Sequence, residues 1–256
     1  MYQIHFMKRL SDKVAIITGA AGGMGAAEAK LFAKEGAKVL ATDSNEEKLK
    51  SWVIAAKAEG LAIEYMKHNV TSESDWAKVA DKAMELFGRI DILINNAGIY
   101  PGFVDCENTP IELWGNVLAI NLTGPFIGCK TCIPYLRMSG GGSIINVASI
   151  AGVVGGNGAA YSSSKGGLVL FSKDLAVNLA KDKIRVNTIC PGGVLTPMTE
   201  GLLKVQGMED MIKQMSPQGR MADPMEIATG ALFLASDESS FMTGADLVMD
   251  GGSVAR

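Results

Sequence analysis

The sequence predicts an α/β fold, a doubly wound parallel sheet of about seven strands with helices on both faces, in a single domain. Strand-like apolar runs recur near residues 14, 38, 62, 91, 143, 184 and 245, and helical patterns lie between them. Strands that alternate with helices in this way pair in parallel through helical crossovers. A chain of 256 residues supplies enough apolar side chains for one such domain.

A glycine-rich turn follows the first strand, Val14 to Ile17, and opens a helix predicted from about Gly25 to Lys34. The turn reads Thr18-Gly19-Ala20-Ala21-Gly22-Gly23-Met24-Gly25. Glycines permit a tight turn and a close backbone approach, and a helix N-terminus favours an anion. The next strand, Lys38 to Thr42, ends at Asp43, whose carboxylate can accept hydrogen bonds from a ribose diol. This arrangement predicts a Rossmann-type dinucleotide site.

Ser149, Tyr161 and Lys165 carry the predicted chemistry. Ser149 follows the apolar run Ser143 to Ala148, at the carboxyl end of a buried strand, where such sheets bind ligands. Tyr161 and Lys165 are four residues apart in a helix predicted over Ala160 to Asn178, so they share one face. We expect the ammonium to lower the pKa of the phenol, which can then act as general acid or base. With the glycine turn, this trio predicts hydride transfer.

These motifs, in this order, resemble the classical short-chain dehydrogenase/reductase family from about residue 10 to the end of the chain. Further matches are Asn95-Asn96-Ala97-Gly98 after the strand Asp91 to Ile94, then Pro191-Gly192 with Thr196, then Gly244-Ala245-Asp246. The resemblance implies a catalytic tetrad of Asn121, Ser149, Tyr161 and Lys165. In that tetrad Lys165 also holds the nicotinamide ribose, and Asn121 holds a water in a proton relay.

The resemblance also implies which residues bind the cofactor. They are Gly19, Gly23, Met24, Gly25, Asp43, Asn69, Val70, Asn96, Ala97, Gly98, Tyr161, Lys165, Pro191, Gly192, Val194 and Thr196. Asn69-Val70 departs from the Asp-Val pair of many members, but an amide can still accept a hydrogen bond from the adenine edge and can also donate one to it. Because Asp43 repels a 2′-phosphate and Ala20, Ala21 and Gly22 offer no cation, the predicted cofactor is NAD.

Composition limits the partners and the compartment. A net charge of −3 with dispersed charges argues against a nucleic-acid surface, and no long run of consecutive apolar residues predicts a membrane span. Four cysteines predict a reducing cytoplasm, and the Cys129 to Cys132 pair is interpreted as helix packing rather than a redox motif. His5 and His68 are expected at the surface or at strand edges, so no metal site is predicted.

Residues 1–10 are interpreted as an N-terminal arm, disordered or packed against another subunit, ahead of one domain over 11–256. Residues 196–221 interrupt the strand and helix rhythm and are interpreted as a substrate lid. The resemblance implies a homotetramer. Candidate pocket walls are apolar: Tyr100 to Phe103, Ile150 to Gly156, and the lid residues Met198, Leu202, Leu203, Val205, Met208, Met211 and Met215.

Such walls favour a bulky apolar secondary alcohol or ketone, whether alicyclic, aromatic or steroidal. The alternative is that the lid methionines only pack against the core. Three other functions stay open: a 3-oxoacyl thioester (acyl-carrier-protein) reductase, a sugar or polyol dehydrogenase, and a nucleotide-sensing protein without turnover. The first fits poorly, because Gly140 and Asp182 stand where a basic patch for an acidic carrier is expected.

Overall fold

The computed structural model describes residues 8–204, 207, 210 and 214–255, and the predicted parallel sheet is confirmed. Its strands are β1 Val14–Thr18, β2 Lys38–Asp43, β3 Ile63–Lys67, β4 Ile92–Asn95, β5 Gly142–Val147, β6 Ile184–Pro191 and β7 Asp246–Met249. They are parallel and lie in the order β3-β2-β1-β4-β5-β6-β7. The order reverses between β1 and β4, the switch point at which such sheets bind ligands.

Helices cover both faces of the sheet, close to the predicted positions. They are α1 Gly23–Lys34, α2 Glu46–Ala58, α3 Glu73–Phe87, α4 Ile111–Leu118, α5 Gly124–Met138, α6 Ala159–Leu179, α7 Pro197–Leu203 and α8 Pro224–Ala235. Polar side chains set several starts: Asn45 accepts from the amide of Lys48, and Asp223 forms a reciprocal capping box with Glu226. Sequence patterns therefore located the helices well.

Two apolar layers lie on the two faces of the sheet. One, beneath α1, α2 and α8, includes Phe32, Val53 and Leu232. The other, beneath α3, α5 and α6, includes Trp76 and Leu136. Each layer removes large apolar side chains from water. Burial stabilises the fold by roughly 25 cal/mol for each Å² of apolar surface, and this holds the helices on the sheet.

The Cys-x-x-Cys segment lies within α5, and its predicted packing role is confirmed. Cys129 and Cys132 are buried, free thiols. Burial raises the pKa of the Cys129 thiol to about 12, and it also raises the pKa of Cys132. Both thiols therefore stay protonated and unreactive at neutral pH.

The helical stretch Ile111–Met138 has the length of a membrane span, although it contains no long run of consecutive apolar residues. By length and composition alone, this helical run of 28 residues is apolar enough to cross a bilayer. A buried core helix passes the same test, and 44% of its most apolar window is buried within the fold. Cys132 and Leu136, for example, have no exposed surface in the layer beneath α5.

Glu28 is an exception among the buried residues of α1. Its side chain is completely buried, and neither carboxyl oxygen has a hydrogen-bond partner among the described residues. Burial raises the pKa of Glu28 to about 8, because an ionised carboxylate would lose its hydration there. The group is therefore mostly protonated at neutral pH.

The end of the predicted arm belongs to the folded domain, which corrects the boundary at residue 10. Leu10 has no exposed surface, and its amide donates to the carbonyl of Glu35. The amide of Arg9 donates to the Glu35 carboxylate at 3.0 Å. Residues 1–7 lie outside the described residues, so the role predicted for the arm stays a prediction.

The prediction that His68 lies at the surface or at a strand edge is wrong. The residue is 1% exposed, its Nδ1 lies 3.0 Å from Oγ1 of Thr42, and its ring packs edge-on against Trp76. Burial lowers the pKa of His68 to about 4, so the ring is neutral. His5 lies outside the described residues, and in the part that the structure describes no three potential metal ligands cluster.

Candidate active site

A cleft of about 380 Å³ opens at the carboxyl edge of the sheet, around the switch point between β1 and β4. Many of the predicted cofactor residues line it, namely Gly19, Gly23, Met24, Asp43, Asn69, Val70, Asn96, Ala97, Gly98 and Thr196. Met198, predicted as a wall of the substrate pocket, also lines this cleft, and sequence reasoning missed several other lining residues, including Ser44, Asn45, Lys48, Ile99, Ile120 and Pro197. The fold therefore gathers residues from both halves of the chain around one cleft.

Glycine is required in the turn for two separate reasons. Gly19 has a positive φ of 68°, and a Cβ there would come within 2.8 Å of the Cα of Ala97. At Gly25 a Cβ would stand 2.5 Å from the carbonyl oxygen of Gly19 and 2.6 Å from Nδ2 of Asn96. Only hydrogen fits at both positions, so the backbone of the turn stays accessible from the cleft.

Asn96 holds the glycine turn in place. Its Nδ2 donates to the carbonyl oxygens of Thr18 at 2.9 Å and Gly19 at 3.2 Å. The backbone amides of Asn96 and Ala97 both donate to the hydroxyl of Thr18. The side-chain donor of Asn96 is thus committed to the turn, and its part in cofactor binding is to shape the cleft.

Asp43 also has partners within the chain. One carboxylate oxygen accepts from the amide of Ala21 at 3.0 Å, and the other accepts from the amide of Asn45 at 2.8 Å. The carboxylate therefore links the glycine turn to the start of α2 while it faces the cleft. The helix cap itself is Asn45, so capping is not the function of Asp43.

Asn69 differs from the behaviour expected for an adenine acceptor. Its Oδ1 already accepts from the amide of Thr71 at 3.1 Å and from the hydroxyl of Thr71 at 2.9 Å. With both lone pairs occupied, the amide can offer its NH₂ group but not its oxygen. The neighbouring Val70 packs against Gly124. A Cβ added at Gly124 would stand 3.1 Å from Cγ2 of Val70.

Asn121 lies in a π-helical turn, residues Ala119–Thr123, between α4 and α5. Such turns are uncommon and are frequent at functional sites. Its side chain is fully buried and bonds the backbone of Ile99 twice, accepting at 2.8 Å and donating at 2.9 Å. It also donates to the hydroxyl of Ser164 at 3.2 Å. The tetrad asparagine therefore fixes the loop after β4, and its predicted water-holding role stays a prediction.

Ser149, Tyr161 and Lys165 meet beyond the carboxyl end of β5. The Ser149 hydroxyl lies close enough to the Tyr161 phenol to oppose the rise in its pKa, and it accepts from the amide of Ala151 at 3.1 Å. Nζ of Lys165 donates to the carbonyl of Val147 at 2.8 Å and lies 5.8 Å from the centre of the Tyr161 ring. The structure thus brings the predicted trio together on adjacent elements.

The expected lowering of the Tyr161 pKa is not seen. Burial raises the pKa of this phenol, and the hydrogen bond from Ser149 opposes the rise only in part. The lysine does not lower it, because Lys165 is itself buried and bonded to Val147. Burial lowers the pKa of Lys165 to about 8. Helical spacing predicted the shared face correctly but could not predict the desolvation of both groups.

The segment after β6 completes the predicted set. Pro191 is the last residue of β6, and a Cβ on Gly192 would stand 2.9 Å from the Cα of Asp250. Val194 bridges to Ala222, and Thr196 borders the cleft. These residues lead from the sheet to α7 across the mouth of the cleft.

The predicted lid is described only in part. Its first half forms α7, and Met198 and Met215 are each 45% exposed. The side chains of Leu202 and Leu203, and all of Val205, Met208 and Met211, lie outside the described residues. The alternative was that the lid methionines only pack against the core. The exposure of Met198 and Met215 argues against it for these two residues.

Tyr100 was expected only as a wall of the pocket, but it touches the catalytic group. Its ring packs edge-on against Tyr161, with 4.8 Å between the ring centres. The two phenols are close enough for Tyr100 to oppose ionisation of Tyr161, which adds to the rise in the pKa of Tyr161. No sequence motif predicts that Tyr100 contacts Tyr161. The contact depends on the conformation of the loop after β4, which Asn121 fixes through Ile99.

The cleft fits a dinucleotide. A turn whose glycines admit no Cβ, a helix N-terminus behind it and a carboxylate at the far end match pyrophosphate and ribose.

Comparison with known proteins agrees with this geometry. A family model described as "Enoyl-(Acyl carrier protein) reductase" matches residues 19–254. The "2,5-dichloro-2,5-cyclohexadiene-1,4-diol dehydrogenase LinX" of Sphingobium indicum is 44% identical over 95% of this chain and 97% of its own. The "Trans-4-hydroxycyclohexanecarboxylate dehydrogenase" of Sinomonas cyclohexanicum is 43% identical over 96% of this chain and 95% of its own.

One solved structure and one further relative complete the comparison. The crystal structure of gox2181 superposes with a TM-score of 0.94 at 30% identity, covering 98% of this chain and 100% of that one. An "NADP-dependent (R)-specific alcohol dehydrogenase" from Lentilactobacillus kefiri is 40% identical over 97% of this chain and 99% of its own. The name of this relative states a dependence on NADP.

Proposed function

Because this chain belongs to the short-chain dehydrogenase/reductase family, we propose that it oxidises a secondary alcohol on an apolar ring to a ketone, with NAD as cofactor. Its class is plain: an oxidoreductase that acts on alcohols through a nicotinamide cofactor. The observation that carries the proposal is the meeting of Ser149, Tyr161 and Lys165 beyond the carboxyl end of β5, with Nζ of Lys165 5.8 Å from the centre of the Tyr161 ring.

The proposed reaction needs one proton acceptor and one hydride acceptor. The alcohol loses a proton from oxygen and a hydride from carbon, and the nicotinamide ring supplies the hydride acceptor when bound. Tyr161 takes the proton as general base. Ser149 stabilises the developing alkoxide by donating its hydroxyl proton, while a lone pair of the same hydroxyl accepts from the Ala151 amide. Lys165, cationic below about pH 8, lies 5.8 Å from the centre of the Tyr161 ring and would hold the nicotinamide ribose of the bound cofactor.

The apolar character of the pocket mouth supports a ring substrate. Val153 and Val154 follow Ser149 and are 48% and 41% exposed, and Leu195 and Met198 are 49% and 45% exposed. Side chains of this kind bind hydrocarbon and leave few partners for a polyol. Two relatives carry cyclic alcohols in their names.

The alternative is an acyl thioester reductase, which the description of the family model favours. On the surface where a carrier protein would need cations, Arg137 is already paired with Asp182 at 2.7 Å. That pairing weakens the alternative without removing it.

Asp43 supports NAD as the cofactor, and Lys48 is the one nearby group that opposes the preference. Both line the same end of the cleft. The carboxylate is held in place by the amides of Ala21 and Asn45 and would repel a 2′-phosphate. Lys48 is an exposed cation whose presence there the glycine motif did not predict.

We also propose a homotetramer in a reducing cytoplasm. Apolar side chains stand on the outer faces of α5 and α6, where Phe126 is 47%, Leu170 69% and Val177 80% exposed. Surfaces of that kind commonly pack against another subunit. The cysteines are all free thiols, as a reducing compartment requires. Light scattering on the purified protein gives the mass, and a monomer would contradict the assembly.

The test of the function is NAD reduction by the purified protein at alkaline pH across short alkanols, cyclohexanols, arylethanols, hydroxysteroids and polyols. We expect the highest kcat/KM with a ring alcohol. Activity with polyols alone, or activity only as reduction of a 3-oxoacyl thioester, would overturn the substrate class. Comparable efficiency with NADP would overturn the cofactor.

A further inference from the structure

Tyr100 places a second phenol ring beside that of Tyr161. It is the second residue after Gly98 in the loop that follows β4, and its ring is half-buried against the ring of Tyr161. Burial raises the pKa of Tyr100, so its hydroxyl is neutral and can both donate and accept. The site therefore contains one more hydrogen-bonding group than the tetrad requires.

The loop that carries Tyr100 is held firmly. Both the amide and the carbonyl of the preceding residue, Ile99, are bonded to the buried side chain of Asn121. Edge-on contact with Tyr161, at 4.8 Å between ring centres, fixes the other side. The Tyr100 ring is thus placed by the same residue that builds the tetrad.

The hydroxyl of Tyr100 has no hydrogen-bond partner among the residues that the structure describes. The residue is half-buried, and its own loop carries the exposed apolar side chain of Phe103. A free hydroxyl in such a place selects for ligands that offer it a partner, since a ligand without one leaves the group unpaired.

We propose that Tyr100 is a specificity-determining residue that hydrogen-bonds a second oxygen on the substrate, away from the reacting carbon. The substrate class is a ring diol or a ring hydroxyketone. This inference rests on the proposed function, because it assumes that Tyr161 and Ser149 bind the reacting oxygen. Tyr100 takes no part in proton or hydride transfer.

The test compares cyclohexane-1,4-diol with cyclohexanol, which differ by the remote hydroxyl. For the wild type we expect kcat/KM per reactive hydroxyl to be about tenfold higher with the diol, the effect of one hydrogen bond. In Tyr100→Phe the ratio should fall to about one. The ratio is the readout because loss of ring packing changes both substrates by a common factor.

Asn157 is the matched control, because it is a polar side chain in the segment between Ser149 and Tyr161 and has no hydrogen bond among the residues that the structure describes. Asn157→Ala should keep the tenfold ratio. A wild-type ratio near one, a ratio that survives in Tyr100→Phe, or a ratio lost in Asn157→Ala instead, overturns the role of Tyr100. Calorimetric titration with NAD checks that Tyr100→Phe is folded. If the wild type turns over neither alcohol, the proposed function fails, and the inference fails with it.

Discussion

The carboxyl edge of the sheet has two halves that are built differently. The cofactor half, made of residues 18–25, Asp43 and residues 96–98, is tied together by hydrogen bonds to its own backbone. The substrate half, made of residues 100–103, 150–158 and 195–198, exposes apolar side chains such as Phe103 at 65% and Val153 at 48%. The difference separates a fixed polar frame for a shared cofactor from an adaptable apolar wall for a particular substrate.

Tyr161 stands where the two halves meet, and its replacement should have the largest effect. Tyr161→Phe removes the general base, so kcat should fall on the order of 10³-fold. Affinity for NAD, measured by calorimetry, should change far less because the cofactor half is intact. The same substitution at Tyr135, on the outer surface of α5, is the control. Retained turnover in Tyr161→Phe would refute the assigned role.

The pH profile tests the same residue without mutation. Because the pKa of Tyr161 is raised, the base is protonated at neutral pH and gains activity as pH rises. We therefore expect kcat/KM for alcohol oxidation to increase through the alkaline range. A profile that is flat from neutral pH upward would show that bound cofactor or Lys165 lowers that pKa more than burial raises it.

Gly25→Ala breaks the cofactor half directly. The added Cβ meets the Gly19 carbonyl at 2.5 Å and Asn96 at 2.6 Å, so the turn must move. We expect affinity for NAD to fall about 100-fold, with a lower Tm, since overpacking costs roughly 1–3 kcal/mol. Gly115→Ala in α4 is the control, because nothing lies within 4 Å of its Cβ position. Unchanged NAD affinity in Gly25→Ala would show that the close contacts of Gly25 with Gly19 and Asn96 do not shape the cofactor site.

Asp43→Ser should change cofactor choice rather than turnover. Without the carboxylate, the ratio of kcat/KM for NAD to that for NADP should fall about tenfold, because repulsion of the 2′-phosphate is removed. Lys48→Ala is the opposing variant and should reduce any activity with NADP. If neither substitution moves the ratio, this end of the cleft does not select the cofactor.

Val154→Ala sharpens the other side of the comparison and should have the smallest effect. Val154 is 41% exposed, and the substitution removes two methyl groups from an adaptable apolar wall. KM for a cyclohexanol should therefore rise about two- to threefold. Ile54→Ala, an exposed site on α2, is the control. A change of tenfold or more would mean that the substrate half is as rigid as the cofactor half.

The sequence alone predicted the cofactor half well for a physical reason. Glycines 19 and 25 are dictated by close backbone contacts, and such contacts leave a pattern of residue types at fixed spacing. The parallel strands and most helix ends were predictable because apolar runs and capping residues also leave patterns in the sequence. Ser149, Tyr161 and Lys165 were also brought together as the spacing required.

What the sequence could not predict depends on contacts between distant segments. The burial of His68, the opposite pKa shift of Tyr161, and the position of Tyr100 beside it all depend on which side chains surround them after folding. The amide of Asn69 is a similar case. Its oxygen is taken by Thr71 two residues away, a local bond that competes with the ligand.

Protonation of Glu28 favours folding at mildly acidic pH, whereas alcohol oxidation needs alkaline pH. Because its folded pKa of about 8 lies above the ordinary 4.5, the folded state holds a proton that the unfolded chain has released between those values. Folding stability therefore falls as pH rises from about 4.5 to about 8 and then levels off. Alcohol oxidation by Tyr161 needs the alkaline range, where this loss is complete. An enzyme stored in mildly acidic buffer and diluted into alkaline assay buffer should keep its activity longest, and Glu28→Gln should remove that handling constraint.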